Sequence, residues 1–359
     1  MSEVLLDQVG FRYEDDVILE DLSFGISDGE LLAVIGPSGT GKTTLLRLLA
    51  GLERPDAGTI FFDGTAVNDV EPYERNVAMV FQQAVLYPNM TVTRNVGFPL
   101  RLRKVEPGEI ERRVAAEVRA RSLQRVAGAR PSQLSEGQRH LAQIARCMVR
   151  VPDAFLMDEP LANIEPSHRV AARRELKVIQ QGYGVTTVYA TNDPEEAMAQ
   201  GDRLAVLGDG RLQQIGPPME VYRQPVNRFV ATFVGSPPMN LIEFRVERGE
   251  RGYWLRRSGL EIRAWMPDLD RSVGSSVEVG FRPEDVTVEP GGRTIGTVTA
   301  VEDLGAHRLT TLEVAGAHLV MRSSDPAPRV GDRLPLSVSS GLVFDRAGRT
   351  LPGRLGPLW

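Results

Sequence analysis

One cysteine, Cys147, stands in 359 residues, so the chain cannot form an internal disulfide, and a reducing compartment fits it. An excess of positive charge is missing as well. The 42 basic and 47 acidic residues leave a formal net charge of −5, which gives no electrostatic reason to expect nucleic acid as the main partner. Long apolar runs are absent. The strongest, Leu31 to Gly36, falls far short of the roughly 20 residues a spanning helix needs. Met1 to Gly10 holds Glu3 and Asp7 and no apolar core, so it does not read as a secretory signal. If the protein works at a membrane, other subunits must do the spanning. Low-complexity tracts and long internal repeats are lacking too.

What remains is an ordinary globular composition, 42% hydrophobic and 25% charged, at a length that suggests two or three domains. Two textures meet near residue 235. The first alternates short apolar runs with helical stretches, an α/β pattern. Leu31-Leu32-Ala33-Val34-Ile35 reads as a buried strand and Thr43 to Leu49 as the helix after it. Ala154 to Met157 and Thr186 to Ala190 read as further buried strands. Leu204 to Leu207 with Gly208-Asp209-Gly210 reads as a strand and turn.

From about 85 to 150 the pattern is helical. Ile110, Val114 and Val118 recur every four residues, so one face is apolar. Arg112, Arg113, Arg119, Arg121 and Arg125 read as a solvated face. The proline-punctuated stretch from Gly216 to Pro238 reads as a connector around a short helical pattern, Val226 to Phe233. Beyond it come short strands between glycine- and proline-rich breaks, among them Trp254-Leu255, Ser276 to Val279, Thr297 to Val301, Leu309 to Val314 and Leu334 to Val338. They predict a small barrel of OB type.

Gly36-Pro37-Ser38-Gly39-Thr40-Gly41-Lys42-Thr43 matches G-x-x-x-x-G-K-[ST] completely, between an apolar strand and a helix. Glycines let backbone N–H groups wrap a phosphate chain, and the helix aims its positive end at the same place. Lys42 is expected to reach the β- and γ-phosphates and the Thr43 hydroxyl to sit on Mg²⁺, with Thr44 next in the cofactor-binding run. A second constellation is Phe155-Leu156-Met157-Asp158-Glu159-Pro160, a buried strand ending in two carboxylates. In a P-loop protein the first acid closes the metal shell, which assigns Asp158 to Mg²⁺. Glu159 is then placed to orient or deprotonate the attacking water.

The third constellation, Leu134-Ser135-Glu136-Gly137-Gln138, resembles the signature of the ABC-transporter ATPases, usually L-S-G-G-Q. The resemblance implies that Ser135 and Gly137, with Gln138, grip the γ-phosphate bound to another subunit in a head-to-tail dimer. It also implies a Q-loop role for Gln82, as a metal and water ligand, and adenine stacking for Tyr13. Leu161-Ala162-Asn163-Ile164-Glu165 takes the D-loop position at the dimer interface. Phe233 to Asn240 and Gly280-Phe281-Arg282-Pro283-Glu284-Asp285-Val286 are similar to the C-terminal OB-type domain of the carbohydrate-importer branch, which includes maltose, trehalose and glycerol-phosphate importers.

The implied organisation is an ABC ATPase domain over 1–235, with a helical subdomain at about 85–150, and an OB-type regulatory or dimerisation domain over 236–359. The implied cofactors are ATP and Mg²⁺. The implied partners are a second ATPase subunit, two membrane-spanning permease subunits and, indirectly, an extracytoplasmic solute-binding protein. That places the chain peripherally at the cytoplasmic face of the cell membrane, importing a sugar, polyol or glycerol-phosphate-like solute. The competing reading is a soluble regulatory or nucleic-acid-linked ATPase of the same family. A P-loop kinase would have no use for Leu134 to Gln138.

Three positions depart from the family pattern. Asn192, in Tyr189-Ala190-Thr191-Asn192-Asp193, stands where the switch histidine is usual. Glu165 replaces the D-loop aspartate, and Glu136 the first signature glycine. Together they point to a weakened ATP site and favour a different chain over a second copy as the partner ATPase, the alternative being a homodimer with both sites altered. Hydrolysis is not excluded, because Lys42, Gln82, Asp158 and Glu159 are intact.

Overall fold

The computed structural model describes residues 2–82, 85–162, 164–292, 294–324 and 328–358, in two compact units, Met1–Met219 and Glu220–Trp359. The first unit opens with β1 (Val4–Tyr13), β2 (Asp16–Ile26), β3 (Leu31–Ile35), α1 (Lys42–Ala50), β4 (Ala57–Phe62), β5 (Thr65–Ala66) and β6 (Val77–Val80). The helices α2 (Val92–Leu102), α3 (Pro107–Ala120) and α4 (Glu136–Met148) follow. It closes with β7 (Ala154–Asp158), α5 (Pro166–Tyr183), β8 (Thr186–Thr191), α6 (Pro194–Gln200), β9 (Arg203–Gly208) and β10 (Arg211–Gly216).

β3, β7 and β8 are buried at every position, as strands covered on both faces must be. They lie inside a sheet of order β10-β9-β3-β8-β7-β6, parallel except for β10. A separate antiparallel sheet has the order β2-β1-β4-β5. α1 shares one core with both sheets. Its Leu45, Leu46, Leu48 and Leu49 are 0–1% exposed and cluster with Val4, Leu6 and Leu22 of one sheet and Leu32, Leu156 and Val188 of the other. Burying each leucine contributes about 1.5–3 kcal/mol. The far end of α1 is fixed by the buried Arg75 guanidinium, which donates to the carbonyls of Leu48 (2.7 Å) and Leu49 (3.1 Å). The helix is therefore held firmly behind the loop at its N-terminus.

The Ile110, Val114 and Val118 stripe is buried, in one cluster with Val92, Val96 and Leu100 of α2 and Ala142 and Ala145 of α4. Arg112, Arg119 and Arg125 are exposed, and Arg112 and Arg113 pair with Glu109. Arg121 corrects the expectation of a solvated face. It is only 6% exposed, because α3 ends at Ala120 and Arg121 turns back to pair with Glu117 (3.4 Å) and to lie over the Tyr183 ring (5.6 Å). The Tyr183 hydroxyl donates to Glu117, tying the end of α5 to α3. Cys147 of α4 is buried, with its thiol on the Met79 carbonyl (3.5 Å), and burial pushes that thiol up to about 11.

The second unit is β-rich. A seven-stranded antiparallel sheet is built around Asn240–Arg248 and Ser276–Phe281, and a five-stranded one around Thr294–Asp303. Ile242, Phe244, Val279, Leu312 and Leu336, all 0–1% exposed, belong to one core that the two sheets share. This is the OB-type body expected from the short strands. Its short helix starts at Arg228 rather than Val226, because Asn227 caps it by accepting the Val230 N–H (2.9 Å). The buried Arg282 donates to the carbonyls of Ala231 (2.9 Å) and Val234 (2.7 Å) at the end of that helix. No helix among the described residues is long and apolar enough to cross a membrane.

Candidate active site

β3 leads into residues 36–41 and α1 leads out, so the loop turns in a confined space. A Cβ on Gly36 would lie 2.4 Å from the Leu207 carbonyl oxygen. Gly41, at φ 93°, is equally constrained: its Cβ would lie 2.4 Å from a Leu19 methyl. Pro37, Ser38 and Gly39 are exposed, and the Thr40 hydroxyl donates to the Pro37 carbonyl (2.9 Å). Lys42 is buried, and its ammonium donates to the carbonyls of Gly36 (2.8 Å) and Pro37 (2.9 Å). Burial lowers the Lys42 pKa, while Glu159 and Asp158 oppose the shift. Thr44 points inward and is buried.

β7 ends beside this loop. The Thr43 hydroxyl donates to the Asp158 carboxylate (3.1 Å). Burial raises the Asp158 pKa, against the Thr43 hydrogen bond and the Lys42 charge. Glu159 follows with φ 45°, in the left-handed region, and its N–H donates to the Ala190 carbonyl (2.9 Å). Its carboxylate accepts from the Gln82 amide (3.4 Å) and from the Asn192 amide. The Asn192 Oδ1 is buried with no hydrogen-bond partner among the described residues. Lys42, Thr43, Gln82, Asp158, Glu159 and Asn192 thus lie at or beyond the C-terminal ends of four neighbouring strands, β3, β8, β7 and β6, where open α/β sheets bind ligands.

The oxygens of Thr43, Asp158 and Gln82 are the hard donors that Mg²⁺ takes, and the glycine loop at the start of α1 suits a phosphate chain. Tyr13, at the end of β1, is 40% exposed, donates to Glu53 (3.0 Å) and accepts from Arg47 of α1 (3.5 Å). The signature residues line a different cleft. Ser135 and Gln138 form a reciprocal cap at the start of α4: Ser135 Oγ accepts the Gln138 N–H (3.3 Å), and Gln138 Oε1 accepts the Ser135 N–H (3.0 Å). Ser135, Glu136 and Gly137 line a cleft of about 470 Å³ with His140, Glu165 and Glu175. Burial pushes His140 down to about 4, so it adds no positive charge there at neutral pH. Asn163 of the D-loop lies outside the described residues.

Sequence reasoning missed Glu196. It is 8% exposed, and its carboxylate accepts from the hydroxyls of Tyr189 and of Thr191 (3.3 Å). The available signal was Asp193-Pro194-Glu195-Glu196. Asp193 caps α6 by accepting the N–H groups of Glu195 (2.9 Å) and Glu196 (3.2 Å), Glu195 stays exposed, and Glu196 is buried against β8.

Comparison with known proteins gives the family. The ABC transporter family pattern matches residues 19–162, the MalK OB fold domain 235–286 and the TOBE domain 279–344. The sn-glycerol-3-phosphate import ATP-binding protein UgpC of Brucella abortus is 39% identical over 98% of this chain and 92% of its own length. The trehalose/maltose import ATP-binding protein MalK of Thermococcus litoralis is 41% identical over 96% of each. Among solved structures, the ATP-binding cassette MJ0796, a dimer in a post-hydrolysis state bound to ADP and Pi, is similar with a TM-score of 0.53. It is 28% identical and covers 60% of this chain and 98% of its own. CbiO1 of Clostridium perfringens, part of the ABC transporter complex cbiONQ, gives a TM-score of 0.57 at 26% identity, covering 62% of this chain and 90% of its own. The chain belongs to the ABC transporter family, as an ATP-binding, ATP-hydrolysing subunit that works with Mg²⁺.

Proposed function

We propose that this ATPase energises uptake of a carbohydrate, polyol or glycerol-phosphate-like solute. It works from the cytoplasmic face on two membrane-spanning permease subunits, which receive solute from an extracytoplasmic binding protein. The solute class is supported by the relatives, named as importers of sn-glycerol-3-phosphate and of trehalose and maltose and matched over nearly the whole chain. The soluble regulatory reading has no comparable support.

In the site, Lys42 and the loop N–H groups hold the phosphates, and Tyr13 carries the base. Thr43, Asp158 and Gln82 would hold Mg²⁺, which would supply neutralisation of charge on the phosphate oxygens. Glu159 accepts a proton from a water whose oxygen bonds to the γ-phosphorus. The bond to the bridging oxygen breaks, leaving ADP and phosphate. Asn192 replaces a group that could become an imidazolium with one that cannot, so hydrolysis at this site is slow.

The finer part of the proposal is a mixed ATPase pair. It rests on one observation: the signature cleft is lined by Glu136, Glu165 and Glu175, acids that face a neighbour's anionic γ-phosphate if the cassettes sandwich head to tail. Two copies of this chain would place both that cleft and Asn192 at each of their sites. A different partner would confine Asn192 to the site on this chain's phosphate loop and the acidic signature cleft to the site on the partner's, so that neither site carries both changes. Native mass spectrometry of the complex purified with its permeases tests this. One copy of this chain with a second ATPase is expected; two identical copies refute the mixed pair, and a monomer without permeases refutes the transport reading.

A further inference from the structure

We propose that Glu196 is a positioning residue for ATP hydrolysis, seating the Thr191–Asp193 turn and, through Asn192, the Glu159 carboxylate, in an arrangement that a single proton reverses. The inference rests on the ATPase site proposed above. Glu196 lies four residues after Asn192, yet its carboxylate returns to β8, where Tyr189 and Thr191 donate to it. The Thr191 hydroxyl accepts the Asp193 N–H in turn (3.1 Å). These bonds point one way: Asp193 N–H to Thr191 Oγ1, and Thr191 O–H to Glu196. Asn192 sits between the two anchored residues and donates to Glu159.

A charged Glu196 accepts both hydroxyls. A protonated Glu196 carries its own donor. With Tyr189 still donating to Oε1, the proton on Oε2 must point at Thr191 Oγ1, and that hydroxyl then has to turn its hydrogen elsewhere. The bond that seats the turn is inverted without any change in backbone connectivity. A charged Glu196 also repels Glu159 directly, as a like charge.

The groups around Glu196 favour access to both forms near neutrality. Tyr189 comes from β8, Arg173 and Arg169 from α5, Glu159 from the turn after β7, and Asp193 and Glu195 from its own helix; β3 contributes only apolar side chains. Burial pushes Glu196 up to about 7; Arg173 and Arg169 hold it down and Glu159 adds to the rise.

The test is the pH profile of MgATP hydrolysis resolved at this chain's own site, with the full chain in its assembled complex, from pH 5.5 to 9. The parent should show an ionisation near 7 in kcat. Glu196→Gln, which fixes the inverted pattern, should lower kcat about 10–100-fold at pH 8 and abolish that ionisation, with KM for ATP within twofold of the parent. Thr191→Ser, which keeps the hydroxyl, should keep the parent profile. An ionisation near 7 that persists in Glu196→Gln overturns the proposal. A carbon-13 titration of the glutamate carboxyls gives a readout free of activity. One resonance, lost in Glu196→Gln, should titrate near 7, and a midpoint near the ordinary 4.5 overturns the proposal. If the complex hydrolyses no ATP but that resonance titrates near 7, the ATPase reading fails while the raised affinity of Glu196 stands. Normal hydrolysis with an unchanged profile in Glu196→Gln sinks the positioning role alone.

Discussion

The side-chain amide of Asn192 donates to the carboxylate of Glu159, the residue proposed above to take a proton from the attacking water. The only donor group of that side chain is thereby engaged with the proposed base. Its other atom, Oδ1, is buried without a partner among the described residues. This pairing bears directly on the first prediction.

Asn192→His should raise hydrolysis at this site by about 10²–10³, the usual worth of a well-placed donor in the transition state. Glu159→Gln should then cost much more in the Asn192→His background than in the parent. Site-resolved turnover in a single-turnover assay decides it. A parent already fast, with a steep loss in Glu159→Gln alone, means that Asn192 is a full substitute.

Lys42→Ala should abolish ATP turnover and transport. The ammonium sits against the carbonyls of Gly36 and Pro37 at the loop and is the only cation with hydrogen bonds to it among the described residues. Its removal takes away a charge-assisted contact to phosphate. Transport assays in reconstituted vesicles check this, and unchanged uptake removes Lys42 from the site.

Gly36→Ala should destabilise the loop by about 1–3 kcal/mol, because the new Cβ meets the Leu207 carbonyl and cannot be repacked cheaply. Thermal unfolding and ATP binding should both fall. Gly39→Ala is a control for crowding: nothing lies within 4 Å of its Cβ, and only its φ of 85° opposes the change.

Stability should depend on Glu196 with a sign opposite to that of a salt-bridged acid. Its folded pKa, about 7, lies above the unfolded value of about 4.5, so the folded state binds more protons between those limits. As pH rises from 4.5 to 7 this group therefore lowers stability, by up to about 3 kcal/mol. Denaturant titrations at pH 5.5 and 8 should show a larger drop in the parent than in Glu196→Gln. An identical drop in both leaves Glu196 with an ordinary affinity for protons.

The Arg121–Glu117 pair gives a fifth prediction. Arg121→Ala strands a buried carboxylate and should cost about 3–5 kcal/mol, whereas replacing both residues with leucine should come closer to neutral. Chemical denaturation of the two variants separates a buried pair from a solvated one.

The parts of the site that could be read from the sequence are those that are contiguous. The loop from Gly36 to Thr43 carries its chemistry in eight neighbouring residues, and β3 announces itself as five apolar residues in a row. Asp158 and Glu159 follow an equally plain strand. What stayed hidden depends on contacts between distant segments. Nothing in Glu195-Glu196 alone says which side chain turns inward; the Asp193 cap and the hydroxyls of β8 decide that. Arg121 sits among exposed arginines on a periodic helix, and only the end of α5, some sixty residues later, draws it inside. Arg75 and Arg282 likewise act on helix ends far from them in sequence.

Cys147 has a practical consequence. Its thiol is buried and its proton is held tightly, so at neutral pH it is a poor nucleophile toward alkylating reagents. The natural chain is therefore already suited to single-site labelling. A cysteine introduced at Val178, 68% exposed on α5, would carry a spin label with no competing site. In the purified transporter, dipolar coupling between labels carried by this chain would then report that two copies of it share one assembly.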